Sequence, residues 1–66
     1  MRHSDFWHRL EEVFGAGYAG SVARDQVLPQ LGGRTIDEAL GAGEPAAQVW
    51  RAVVDAYPDR VPRRLH

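Results

Sequence analysis

The histidines of this chain, His3, His8 and His66, are its most versatile groups for metal binding. His8 and Glu12 are four residues apart, which would place both on one face of a helix and let them share a metal ion. Protein zinc sites use three or four ligands, however, and the sequence places no third ligand beside this pair. We therefore predict no metal site and no cofactor, and interpret these side chains as solvated or helix-capping groups.

The hydroxyl groups that could act as nucleophiles are few. Ser4 and Thr35 each precede a helical pattern as N-caps, and Ser21 lies among small residues that suit close helix packing. The sequence places none of these hydroxyls beside a general base and a group that would orient that base, as nucleophilic catalysis requires. Glu11 and Glu12 are adjacent, so on a helix they point about 100° apart and form no carboxylate pair. We predict that the chain is not an enzyme.

Residues 32–35, Gly-Gly-Arg-Thr, are a candidate anion site because glycines precede a predicted helix N-terminus. Against this interpretation, Asp37 and Glu38 lie in the first turn of that predicted helix, where their carboxylates would repel a phosphate. The two carboxylates also argue against a helix-turn-helix reading in which the helix at residue 36 enters a DNA groove. We interpret the glycines as a helix end followed by a turn.

Length and composition limit the chain further. Its 66 residues allow one domain with a modest core, and the absence of cysteine excludes disulfides. The net charge of −1 gives no general attraction to nucleic acid or to an anionic membrane. No apolar run approaches the roughly 20 residues that span a bilayer, and residues 1–5 do not resemble a signal peptide. We expect a cytoplasmic protein.

Hydrophobic periodicity predicts an all-α fold, a small bundle of three to four helices. The first is predicted at 5–14, with Ser4 as N-cap, an apolar stripe that includes Phe6 and Leu10, and Gly15 at its end. The last is predicted at 45–57, with Pro45 as its first residue.

The middle of the chain is less regular. Residues 18–31 fit either one kinked helix or a helix to about residue 25 followed by a short turn near Pro29, and we favour the break. Thr35 and Glu38 have the spacing of a capping box, which predicts a short helix over 35–42. No segment alternates as a strand would. We expect residues 1–57 to form one helical domain and residues 58–66 to be a disordered, flexible basic tail.

Several short patterns together resemble a known family. They are Asp5-Phe6-Trp7, Glu12-x-Phe14-Gly15, Val22-Ala23-Arg24-Asp25-x-Val27-Leu28, Leu31-Gly32-Gly33-Arg34-Thr35-x-x-Glu38-Ala39-Leu40 and Val49-Trp50-Arg51-Ala52-Val53. Over residues 3–57 the chain is similar to a family of short actinobacterial proteins of unknown function, the DUF3046 type. The resemblance implies an all-helical fold with no known activity, ligand or functional residue. It also implies a link to DNA recombination or repair, through gene neighbourhood only.

Large aromatic side chains suggest a protein-binding or regulatory module, since tryptophan, tyrosine and arginine dominate interface energetics. Our candidate partner contacts comprise three aromatic anchors and three arginines: Trp7, Tyr18, Trp50, Arg24, Arg34 and Arg51. Because adjacent residues on a helix do not face one another, we expect Arg24 and its neighbour Asp25 to pair elsewhere.

Two alternatives remain open. One is nucleic-acid binding through the arginines of the tail, Arg60, Arg63 and Arg64. The other is a homodimer whose interface completes a thin core.

Overall fold

A computed structural model describes residues 1–66 of the chain. Four α-helices are joined by short connections that include one small strand pair. The elements in chain order are α1 (His3–Phe14), α2 (Ala19–Asp25), β1 (Val27–Leu28), β2 (Arg34–Thr35), α3 (Ile36–Gly41) and α4 (Ala46–Ala56). Single 3₁₀ turns lie at Pro29–Leu31 and Arg63–Leu65. The prediction of a small, mainly helical fold is confirmed.

Helix α1 begins two residues before the predicted start. The N-cap is Arg2, and its backbone amide donates to the Asp5 carboxylate at 3.0 Å. Because this bond ties the cap to the residue three positions later, Ser4 lies inside the first turn, and its prediction as N-cap is wrong. The predicted end is confirmed, since Gly15 follows the helix at φ +92°.

The chain between α2 and α3 breaks as favoured, but it also forms strands that were not predicted. Helix α2 ends at Asp25, and Val27 and Leu28 pair antiparallel with Thr35 and Arg34. Proline at position 29 disfavours a helical conformation at the residue before it. Val27 and Leu28 therefore leave the helix and pair with the second strand in a ladder of two residues. A ladder this short is below the length at which alternation can be read from a sequence.

The capping box of α3 is confirmed. The Glu38 backbone amide donates to the Thr35 hydroxyl at 3.1 Å, and the Thr35 amide donates to the Glu38 carboxylate at 2.8 Å. Helix α4 begins one residue later than predicted, because Pro45 is its N-cap and not its first residue.

The core lies where the helices meet. Trp50 packs edge to face against Phe6, with ring centroids 5.6 Å apart. The largest fully buried side chains are those of Trp50, Phe6, Leu10, Ile36, Val49 and Val53.

The prediction of a disordered tail at 58–66 is wrong. Val61 and Leu65 are buried in the core, at 3% and 9% exposure. The Trp50 indole N–H donates to the backbone carbonyl of Leu65 at 2.5 Å, and Arg64 forms an ion pair with Glu12 of α1. Two apolar residues and one buried indole donor therefore hold this segment against the helices, despite its prolines and charges.

None of the helices combines the length and the apolar character that a membrane crossing requires.

Candidate functional site

The surface of the molecule has one cleft, an open depression of about 200 Å³. Its lining residues come from the end of α1, from α2 and from the segment after α4. They are Phe14, Tyr18, Val22, Gln26, Tyr57 and Arg60. We call this set the aromatic cleft.

Local structure explains why α2 supplies half of the lining. Tyr18 is the N-cap of α2, Val22 lies one turn later, and Gln26 is the C-cap. Residues four apart share a helix face, so these three side chains form one stripe along the cleft. Val22 is buried and forms its floor, whereas Tyr18 and Gln26 are exposed at its rim.

The opposite wall is a stack of three side chains. Phe14, the last residue of α1, meets Tyr57 edge to face with ring centroids 5.2 Å apart. The Arg60 guanidinium carbon lies 4.8 Å from the Phe14 ring centroid, within the range of a cation–π contact. This stack places a positive charge over the face of the half-buried Phe14 ring, which in turn packs against Tyr57.

The polar groups of the aromatic cleft have no partner within the chain. The hydroxyls of Tyr18 and Tyr57, the Gln26 amide and the Arg60 guanidinium make no side-chain hydrogen bond. No carboxylate lines the cleft. The site therefore offers hydrogen-bond donors and one cation above an apolar floor.

The three predicted aromatic anchors lie in different environments. Tyr18 is 58% exposed and lines the aromatic cleft. Trp7 is half-buried and packs edge to face on Phe6, with centroids 5.6 Å apart. Trp50 is only 2% exposed, so its prediction as a surface contact is wrong: the tail covers it and accepts its indole N–H.

The three predicted arginine contacts are also separated. Arg24 pairs with Asp25 at 3.3 Å, contrary to expectation, because its long side chain reaches the carboxylate of the next residue. Arg34 donates to the Leu31 carbonyl at 2.8 Å and to the Glu44 carboxylate at 3.1 Å, and thereby joins the turn before β2 to the start of α4. Arg51 is exposed on α4 and lies outside the cleft.

Two of the three tail arginines are engaged within the fold. Arg60 stacks on Phe14, and Arg64 pairs with Glu12. Arg63 is exposed and makes no ion pair. The pairing also occupies Glu12, which the sequence had offered as a metal ligand with His8. No group of three or more His, Asp or Glu side chains is placed to hold a metal ion.

Sequence reasoning found Tyr18 and Arg60 separately but not the cleft that joins them. It did not single out Phe14, Val22, Gln26 or Tyr57 as residues of a binding surface. The spacing of Tyr18, Val22 and Gln26 was the available signal, since a tyrosine and a glutamine on one helix face mark a partly exposed stripe.

Comparison with known proteins identifies the family of the chain but gives no information about its activity. A family model described as "Protein of unknown function (DUF3046)" matches residues 1–64. No curated protein and no solved structure matches the chain. The match extends beyond the resemblance over 3–57 and includes most of the C-terminal segment, which agrees with the packing of that segment in the fold. The chain belongs to this DUF3046 family of proteins of unknown function.

Proposed function

We propose that this chain is a small helical protein-interaction module whose docking surface is the aromatic cleft. The exposure of Tyr18 beside two half-buried aromatic rings supports the proposal most directly. Tyrosine and tryptophan side chains at such positions lose water and gain packing when a partner covers them.

The size of the cleft favours a side chain of a partner over a free small molecule. Sites for small molecules usually enclose about 300–1,000 Å³, whereas this cleft is open and measures about 200 Å³. Its six lining residues also lack a nucleophile placed beside a base. Binding of a protein is therefore proposed as the function, and catalysis is not.

The proposal is tested by capture followed by measurement with purified components. The tagged chain is used to recover partners from the native host after nuclease treatment, and the gene neighbourhood implied by the family makes proteins of DNA recombination and repair the first to examine. The affinity of the purified partner is then compared for the wild type, Tyr18→Ala and Val27→Ala. Val27 is as exposed as Tyr18, at 58%, but does not line the cleft.

We expect Tyr18→Ala to weaken binding at least about tenfold, the loss typical of an aromatic hot-spot residue, and Val27→Ala to have little effect. Equal affinities for the wild type and Tyr18→Ala would refute the cleft as the docking surface. Recovery of nucleic acid alone, with salt-dependent binding that requires Arg63, would favour the nucleic-acid alternative. Melting temperatures that rise with protein concentration would favour the homodimer.

A further inference from the structure

The charge of the aromatic cleft indicates which kind of partner it fits. Three arginines of the chain, Arg24, Arg34 and Arg64, form ion pairs with carboxylates. Of the five arginines that form none, Arg60 is the one that lines the cleft, where it lies over the Phe14 ring. Since the stack orients the guanidinium and leaves its N–H groups unpaired, a carboxylate can bind there without first breaking an internal ion pair.

The other polar groups of the cleft can also bind a carboxylate, while the preference for an acid over a base comes from Arg60. The Tyr18 and Tyr57 hydroxyls and the Gln26 amide can all donate a hydrogen bond, and none does so within the chain. A carboxylate only accepts hydrogen bonds, with two oxygens and about four lone pairs. A lysine or arginine of a partner would meet the Arg60 charge and find no acid in the cleft to offset it.

Resting on the proposed function, we propose that the aromatic cleft recognises an acidic segment of a partner protein, in which one large apolar side chain lies next to a glutamate or aspartate. The apolar side chain packs on Val22 and the aromatic walls. The carboxylate pairs with Arg60. The remaining donors at the rim bind the second carboxylate oxygen or a backbone carbonyl of the segment.

The test uses four tripeptides with blocked ends, so that they differ only in their side chains: Glu-Phe-Glu, Gln-Phe-Gln, Lys-Phe-Lys and Glu-Ala-Glu. Each is titrated into the ¹⁵N-labelled full chain while backbone amide shifts are followed by NMR. The same titrations are run on Arg60→Gln. They are also run on Arg2→Gln, which removes the same charge from an exposed arginine that does not line the cleft and whose side chain makes no hydrogen bond.

We expect Glu-Phe-Glu to shift the amides of the cleft, and to bind about threefold more tightly than Gln-Phe-Gln, which is the ~0.7 kcal/mol of a good exposed ion pair. Lys-Phe-Lys and Glu-Ala-Glu should bind more weakly than Glu-Phe-Glu, because each lacks one of the two features. Arg60→Gln should abolish the difference between the glutamate and glutamine peptides, and Arg2→Gln should retain it.

The possible failures are distinguishable. Equal binding of the glutamate and glutamine peptides at the cleft would overturn the acidic partner while leaving the docking cleft in place. If both arginine variants bind the glutamate and glutamine peptides equally, the preference comes from the overall charge of the chain and not from Arg60. That result would also overturn the inference. If no peptide shifts the cleft amides, both the inference and the proposed docking cleft fail.

Discussion

Leu65→Ala tests whether the C-terminal segment is part of the folded core. Leu65 is 9% exposed, and its carbonyl accepts the hydrogen bond of the Trp50 indole. Shortening the side chain removes apolar contacts from the segment and loosens the carbonyl that satisfies a buried N–H. A disordered tail would make neither contribution.

The expected loss is large for a domain of this size. A buried leucine replaced by alanine costs about 2–5 kcal/mol, and the lower value applies to Leu65 because the end of a chain can relax into the space. At about 0.05–0.15 kcal/mol per residue, the whole domain has a free energy of unfolding of only about 3–10 kcal/mol. A loss of about 2 kcal/mol in a domain this small corresponds to a fall in Tm of about 8–16 °C.

Thermal unfolding followed by far-UV circular dichroism measures this fall, and Arg63→Ala is the matched control. Arg63 lies in the same 3₁₀ turn but is exposed, so its truncation should change stability by less than about 0.5 kcal/mol. The indole N–H resonance of Trp50 should also shift in Leu65→Ala and not in Arg63→Ala. If Leu65→Ala and Arg63→Ala melt together with the wild type, the account of a packed C-terminal segment is refuted.

Three further outcomes are expected from single substitutions. Trp50→Ala should unfold the isolated chain, since truncating a buried tryptophan costs about 3–5 kcal/mol; a cooperative melt near the wild-type Tm would contradict this. Thr35→Ala should cost about 1 kcal/mol in urea unfolding by removing the cap of α3, and Thr35→Ser, which keeps the hydroxyl, should recover most of it. Glu12→Ala should cost only about 0.2–1 kcal/mol because its pair with Arg64 is exposed, and a cost that persists in 1 M salt would indicate packing instead of charge.

The helices could be predicted because their signals are local. The stripe that includes Phe6 and Leu10 marks α1, and the spacing of Thr35 and Glu38 marks the start of α3 within a few residues of chain. These signals depend only on helix geometry and on hydrogen bonds between near neighbours. These local signals therefore predict a helix regardless of which other segments the helix packs against.

The C-terminal segment could not be predicted because its contacts are long-range. Val61 and Leu65 flank a proline in a charged stretch, which by composition alone favours disorder. Both residues pack in a core formed mainly by the helices, and the Leu65 carbonyl accepts the indole N–H of Trp50, 15 residues earlier in the chain. Composition does not reveal such a pairing.

The candidate site was missed for a related reason. Tyr18 and Trp50 both lie on apolar helix stripes, yet one is 58% exposed and the other 2%. Their difference arises from the packing of separate segments, since Trp50 packs on Phe6 and bonds to the C-terminal segment, whereas more than half of Tyr18 stays exposed. Periodicity identifies a helix face that can be buried, but the tertiary fold decides which residues on it remain open to a partner.

Site-specific photo-crosslinking in the native host detects a protein partner that is docked on the aromatic cleft. The photoreactive residue p-benzoylphenylalanine replaces Tyr18 in the cleft or, as the control, Gln48 on the exposed side of α4. We expect docking on the cleft to give a covalent adduct with one protein from position 18 and none from position 48. The cross-linked segment of the partner should be rich in acidic residues around an apolar one. Adducts from position 48 alone, or adducts with nucleic acid from position 18, would contradict this expectation.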